Sequence, residues 1–196
     1  MHKVNLKQLK TLAENARQTI WDIARANSRE PKIYLHWSAG KYKTCFDDYH
    51  INITDDGTIY VATDDFAEIL SHTYRRNSGS VGISLCCAYG ANTNNLGAFP
   101  PTPMQIEVMA QVICTVADAL WLTIDKKHVM THGEAADNED GIYASEPYGP
   151  RTTCERWDLE FLGTAESNKF NPWATDGNRG GDVLRGKANW YRNNKK

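Results

Sequence analysis

Apolar residues recur at helical spacing over residues 5–26. Leu6, Leu9, Leu12, Ala13, Ala16, Ile20, Ile23 and Ala24 fall on one face, which predicts an amphipathic helix. Residues 28–31 end it. Ile33-Tyr34-Leu35 follows Pro31 and is too short for a helix but rich in β-favouring side chains. It predicts a buried strand that delivers His36 to its C-terminal end and breaks at Gly40. Residues 49–53 and 58–61 flank Asp55-Asp56-Gly57, the pattern of a hairpin with a positive φ at the glycine. Residues 65–76 read as helical or irregular, and 81–86 as another short buried strand. Thr102, Pro103 and Gln105 form a capping box with proline at the first helical position. They open a helix with Ile106, Met109, Ile113, Val116, Ala117 and Leu120 on its buried stripe. Val129 and Met130 predict a strand ending at Thr131-His132-Gly133-Glu134. A glycine- and acid-rich loop follows to about residue 153, and the apolar pattern resumes over 155–159. The tail from residue 168 is polar, and its Trp173, Trp190 and Tyr191 predict packing on the body.

Strands interleaved with helices indicate an α/β fold with a central mixed sheet flanked by helices. At 196 residues the chain is expected to form one domain: a core over about 30–162, the helix 5–26 and a C-terminal extension 168–196. The net charge of -2 offers no electrostatic argument for nucleic acid or an anionic membrane as partner. No window approaches the roughly 18 to 20 apolar residues of a spanning helix, so no membrane insertion is expected. Residues 1–7 lack an apolar signal-peptide core. The five cysteines are odd in number and show no CxxC spacing, which suits a reducing cytosol. Cys86 and Cys87 read as small core residues.

His36 and His132 each end a predicted strand, and Asp158 lies in a third apolar segment. Two imidazoles and a carboxylate would leave a tetrahedral zinc one open position for water. Such a metal brings that water's pKa to about 7 and polarises a carbonyl, as amide hydrolysis requires. Spacing alone does not single out this triplet among six histidines and many carboxylates.

In combination, "LHWSAG", "DDYHINITDDGTIYVA", "SHTYRRNSGSVGISLC", "PPTPMQIEVMAQVI", "MTHGEAA" and "RWDL" carry a resemblance over about residues 30–162. Their order and spacing resemble the type 2 amidase family: zinc-dependent N-acetylmuramoyl-L-alanine amidases, among them phage lysozyme-type amidases and peptidoglycan recognition proteins. The resemblance implies that His36 and His132 are zinc ligands, with Asp158 as third ligand ahead of its rival Cys154. It implies that Tyr49 lies beside the metal. Arg156 stands where the family often has an oxyanion-stabilising lysine; arginine keeps the charge but cannot donate a proton, so it would act electrostatically. The stretch between His132 and Asp158 is long for the family.

Glu134, just after the second ligand, is a candidate to orient it or to serve as general base. His50 is expected to be structural, His72 is a candidate for lining a peptide cleft, and His2 and His128 are expected at the surface. The function expected is hydrolysis of the bond between N-acetylmuramic acid and L-alanine of peptidoglycan by a monomeric phage or prophage endolysin. Such an enzyme would accumulate in the cytoplasm and act on the wall after release. A cytosolic muropeptide-recycling amidase is the nearest variant. A non-catalytic recognition module and a thiol hydrolase are the readings from other classes; for the latter, no cysteine follows a glycine-rich turn at a helix start.

Overall fold

The computed structural model describes residues 1–144 and 157–194. Its elements in chain order are β1 (His2–Val4), α1 (Leu6–Ala26), β2 (Lys32–Trp37), β3 (Ile51–Ile53), β4 (Ile59–Val61), β5 (Ser80–Leu85), α2 (Pro103–Ala119), β6 (Val129–Thr131), α3 (His132–Ala136) and α4 (Gly180–Asn193). The six strands form one sheet in the order β1-β4-β3-β5-β2-β6. β1, β4 and β3 pair antiparallel, whereas β3, β5, β2 and β6 run parallel. The α/β domain with a mixed sheet flanked by helices is therefore the fold the chain adopts.

β2 sits between β5 and β6, and its pleat sorts its side chains by face. Ile33, Leu35 and Trp37 join the main hydrophobic core, while Tyr34 packs separately with Met130 and Ala135. His36 shares the Tyr34 side. Both long helices begin with complete capping boxes, Asn5 with Gln8 for α1 and Thr102 with Gln105 for α2. Gln105 also binds the carbonyls of Ile53 and Cys86 at 3.0 Å each, which ties the start of α2 to the ends of β3 and β5. Among the described residues no helix is long and apolar enough to cross a membrane.

Three elements depart from the sequence expectation. β1 is a three-residue edge strand, too short for periodicity to reveal. α3 occupies the end of the expected strand and the first residues of the expected acidic loop, and it is capped reciprocally by Thr131 and Glu134. α4 forms within the tail read as polar and packs against α2. Leu184, Arg185 and Ala188 bury against the body, and the Tyr191 hydroxyl reaches Glu107 at 2.8 Å. Trp173 and Trp190 are exposed and do not supply that packing. The Gly180-Gly181 pair begins the helix because the approach is close. A Cβ on Gly180 would lie 1.9 Å from the Leu159 carbonyl oxygen, and one on Gly181 would lie 2.7 Å from Glu134 Oε1.

Candidate metal centre

Parallel pairing in register brings the first two residues of the site together. Leu35 of β2 lies opposite Thr131 of β6, so the next residues, His36 and His132, leave adjacent strands at the same C-terminal edge. Their Nδ1 atoms are 3.2 Å apart, with the rings at 81°. His132 also opens α3, whose capping box fixes the backbone at that point.

Asp158 arrives from a turn after Trp157. The Trp157 ring is fully buried and packs edge-on against Trp37 at 4.8 Å, and it stacks on Phe161. Leu159 adopts a left-handed φ of 60°, a conformation that costs a non-glycine residue roughly 1–2 kcal/mol. Glu160 holds the turn through a two-pronged pair with Arg179 at 2.8 and 3.0 Å. Asp158 Oδ2 lies 3.2 Å from His36 Nδ1 and 3.6 Å from His132 Nδ1. Burial opposes ionisation of Asp158, but the two imidazoles, His132 foremost, outweigh it and hold the carboxyl well below the usual carboxylate range.

The donor set fits a zinc ion. Zinc bonds of about 2.0–2.2 Å to nitrogen and oxygen, arranged tetrahedrally, separate neighbouring ligand atoms by roughly 3.3–3.6 Å. The three separations here, 3.2, 3.2 and 3.6 Å, lie close to that range. All three residues are buried, and His36, His132 and Asp158 offer one ligand atom each.

Tyr49 is half-buried in the bend before β3, and its ring centroid is 5.0 Å from that of His36. Two hydrogen bonds between the Asn52 side chain and the Phe46 backbone, at 2.9 and 3.1 Å, hold the approach to that bend. Arg156 and Cys154 lie outside the described residues.

Glu134 does not fit the general-base expectation. Its two oxygens accept from the Arg185 guanidinium at 2.8 Å each, and Oε2 also accepts the Thr131 N–H at 2.9 Å. Burial opposes its ionisation, and the Arg185 bonds outweigh this and keep its pKa below the ordinary value. A carboxylate so engaged orients the helix that begins at His132; it is not poised to carry protons. Arg185 also donates to the Val129 carbonyl at 3.0 Å, so α4 is tied to the strand leading to His132.

His50 is structural, as expected: Nε2–H donates to the Glu68 carbonyl and Nδ1 accepts from Gly82 N–H. His72 lies behind His36, buried against it at 5.4 Å between ring centroids, and not at the surface of a cleft. His128 is likewise buried, held between Glu30 and Thr123 at 2.7 Å each. Arg76, fully buried, pairs with Asp140 at 2.6 Å on the Tyr34 side of the sheet. Neither the Arg76–Asp140 nor the Arg185–Glu134 pair was visible in the sequence, since each joins residues more than 50 positions apart.

The family model described as N-acetylmuramoyl-L-alanine amidase matches residues 7–156, and the chain belongs to that family. Solved structures with a similar fold include the Ph2119 endolysin from Thermus scotoductus MAT2119 bacteriophage Ph2119. It is 16% identical, with a TM-score of 0.41 over 53% of this chain and 71% of that one. The endolysin N-acetylmuramoyl-L-alanine amidase LysCS from Clostridium intestinale URNW is 19% identical, with a TM-score of 0.39 over 53% and 68%. Drosophila PGRP-LB is 19% identical, with a TM-score of 0.40 over 56% and 72%. No curated protein sequence matches the chain.

Proposed function

We propose that the chain is a zinc-dependent hydrolase that cuts the amide between the lactyl group of N-acetylmuramic acid and L-alanine in peptidoglycan, in the manner of an endolysin. Membership of the amidase family gives the reaction class. The observation that carries the zinc reading is the cluster of His36 Nδ1, His132 Nδ1 and Asp158 Oδ2 at tetrahedral spacing. Zinc bound by these residues supplies a water of lowered pKa and a Lewis acid for the scissile carbonyl.

In this reading the residues of the chain have distinct tasks. His36 in β2 and His132 at the junction of β6 and α3 keep the donor geometry fixed before substrate arrives. Asp158 adds negative charge to the cluster. Tyr49, beside His36, donates its phenol O–H to the oxygen that gains charge as the carbonyl is attacked. Arg156 is the proposed second stabiliser of that charge. Glu134 acts indirectly, by holding the helix that begins at His132. The expected setting is a phage or prophage enzyme that accumulates in the cytoplasm and acts on the wall after release.

The test is digestion of purified sacculi with and without a chelator, followed by mass spectrometry of the soluble fragments. Free stem peptides beginning at L-alanine, lost on chelation and absent with His36→Ala, are the expected products. Glycan fragments or shortened peptides would mean that another bond is cut, and binding without release would mean a recognition module.

A further inference from the structure

We infer that Thr73 and His72 are positioning residues for His36. A one-way chain of hydrogen bonds from the Asn77 carbonyl through Ser80, His72 and Thr73 keeps a proton on His36 Nε2 and so turns the Nδ1 lone pair toward the metal centre. The inference rests on the zinc reading above, but its direction follows from hydrogen-bond chemistry alone.

The Asn77 carbonyl only accepts, so the Ser80 hydroxyl 2.9 Å away donates to it. With its hydrogen spent, Ser80 Oγ accepts from His72 Nε2 at 3.4 Å. The proton of the neutral His72 ring is therefore on Nε2, and its Nδ1 carries a lone pair. That lone pair accepts from the Thr73 hydroxyl at 2.9 Å. Thr73 Oγ1 in turn can only accept from His36 Nε2, 3.3 Å away. A proton is thereby assigned to His36 Nε2 by four contacts, none of which involves Asp158 or His132.

With zinc bound, the other side of the ring gives the same answer. Nδ1 is the nitrogen 3.2 Å from both Asp158 Oδ2 and His132 Nδ1. Metal binding at Nδ1 requires its lone pair and leaves the hydrogen on Nε2, where a ligating histidine needs an acceptor to fix its ring. Thr73 is that acceptor. The fold makes room for the chain at one position: a Cβ on Gly82 would lie 2.6 Å from His72 Cγ. Thr73 is itself held by its N–H, which donates to Asn77 Oδ1 at 2.7 Å.

The experiment compares wild type, Thr73→Val and Thr73→Ser. Valine keeps the shape without the hydroxyl, and serine keeps the hydroxyl. Zinc affinity is measured by competition with a chromophoric chelator, the metal-free melting temperature is recorded, and the His36 nitrogens are observed by long-range proton–nitrogen NMR. Thr73→Val is expected to weaken zinc binding about 10–100-fold, Thr73→Ser to bind close to wild type, and the His36 Nε2 signal in the metal-free wild type to be that of a protonated nitrogen. Wild-type affinity in Thr73→Val would overturn the inference. So would equal loss in both variants with a matching fall in melting temperature, which would assign the effect to packing, or a deprotonated Nε2. A wild type that binds no zinc yet shows protonated Nε2 would remove the zinc reading and leave the hydrogen-bond chain standing.

Discussion

His36 Nδ1 and His132 Nδ1 face each other at 3.2 Å, although 96 positions separate them in the chain. Two imidazole nitrogens that close need either a proton or a cation between them, and with Asp158 Oδ2 at 3.2 and 3.6 Å the three donors have the spacing of a tetrahedral zinc site. Zinc at about 100 times its dissociation constant should stabilise the protein by about 2.7 kcal/mol. For a chain of this size that raises the melting temperature by roughly 5–10 °C. Calorimetry with and without a chelator checks this. His36→Ala and Asp158→Ala should each abolish the shift and the amidase activity together.

Arg185→Met should be strongly destabilising. It strands the buried Glu134 carboxylate, and breaking such a pair from one side costs about 3–5 kcal/mol. The Glu134→Leu/Arg185→Met double variant should recover part of the loss, as read by urea unfolding. Glu134→Gln separates the two roles considered for this residue: reduced stability with turnover retained in the folded fraction is expected of an anchor, whereas intact stability with lost turnover would restore the general base.

His50 predicts an acid limb to stability. Burial pulls its pKa from about 6.5 in an unfolded chain down to about 4 in the fold. As pH falls, the unfolded chain therefore binds the proton first. The stability tied to the neutral ring is fully present above pH 6.5 and is lost between about 6.5 and about 4, in an amount of about 3 kcal/mol. His50→Asn, whose amide oxygen can still accept from Gly82 N–H, should flatten the unfolding free energy over that window. An unchanged slope would show that another group sets the limb.

Gly82→Ala tests how tightly the histidines are packed. The added methyl meets the His72 ring at 2.6 Å, so the ring must move, at a cost of about 1–3 kcal/mol typical of overpacking. Lower stability together with weaker zinc binding is the expected pair of results. A loss of stability alone would mean that His36 tolerates the displacement.

The local elements were legible because their causes are local. The stripe Leu9, Ala13, Ala16, Ile20 and Ala24 is the buried face of α1, and the Thr102–Pro103–Gln105 cap opens α2 where expected. α4 escaped because Gly180-Gly181 resembles a loop and polar residues such as Asp182, Lys187, Asn189 and Arg192 dilute its apolar pattern. The signal it did carry was the spacing of Leu184 and Ala188, with Tyr191 three positions on. β1 is too short to show a period.

The sequence by itself determined the cap that opens α2 and the strand that carries His36, and the family resemblance of its motifs implied the three residues that converge. The tertiary structure alone decided that Glu134 is paired with Arg185, that His72 and Thr73 stand behind His36, and that His128 is buried. The reason is physical. Periodicity and capping depend on neighbours within a few residues, whereas the partner that commits a carboxylate or fixes an imidazole proton comes from a distant segment. Which partner that is depends on strand register and helix packing, as with Arg185 reaching Glu134 across 51 positions.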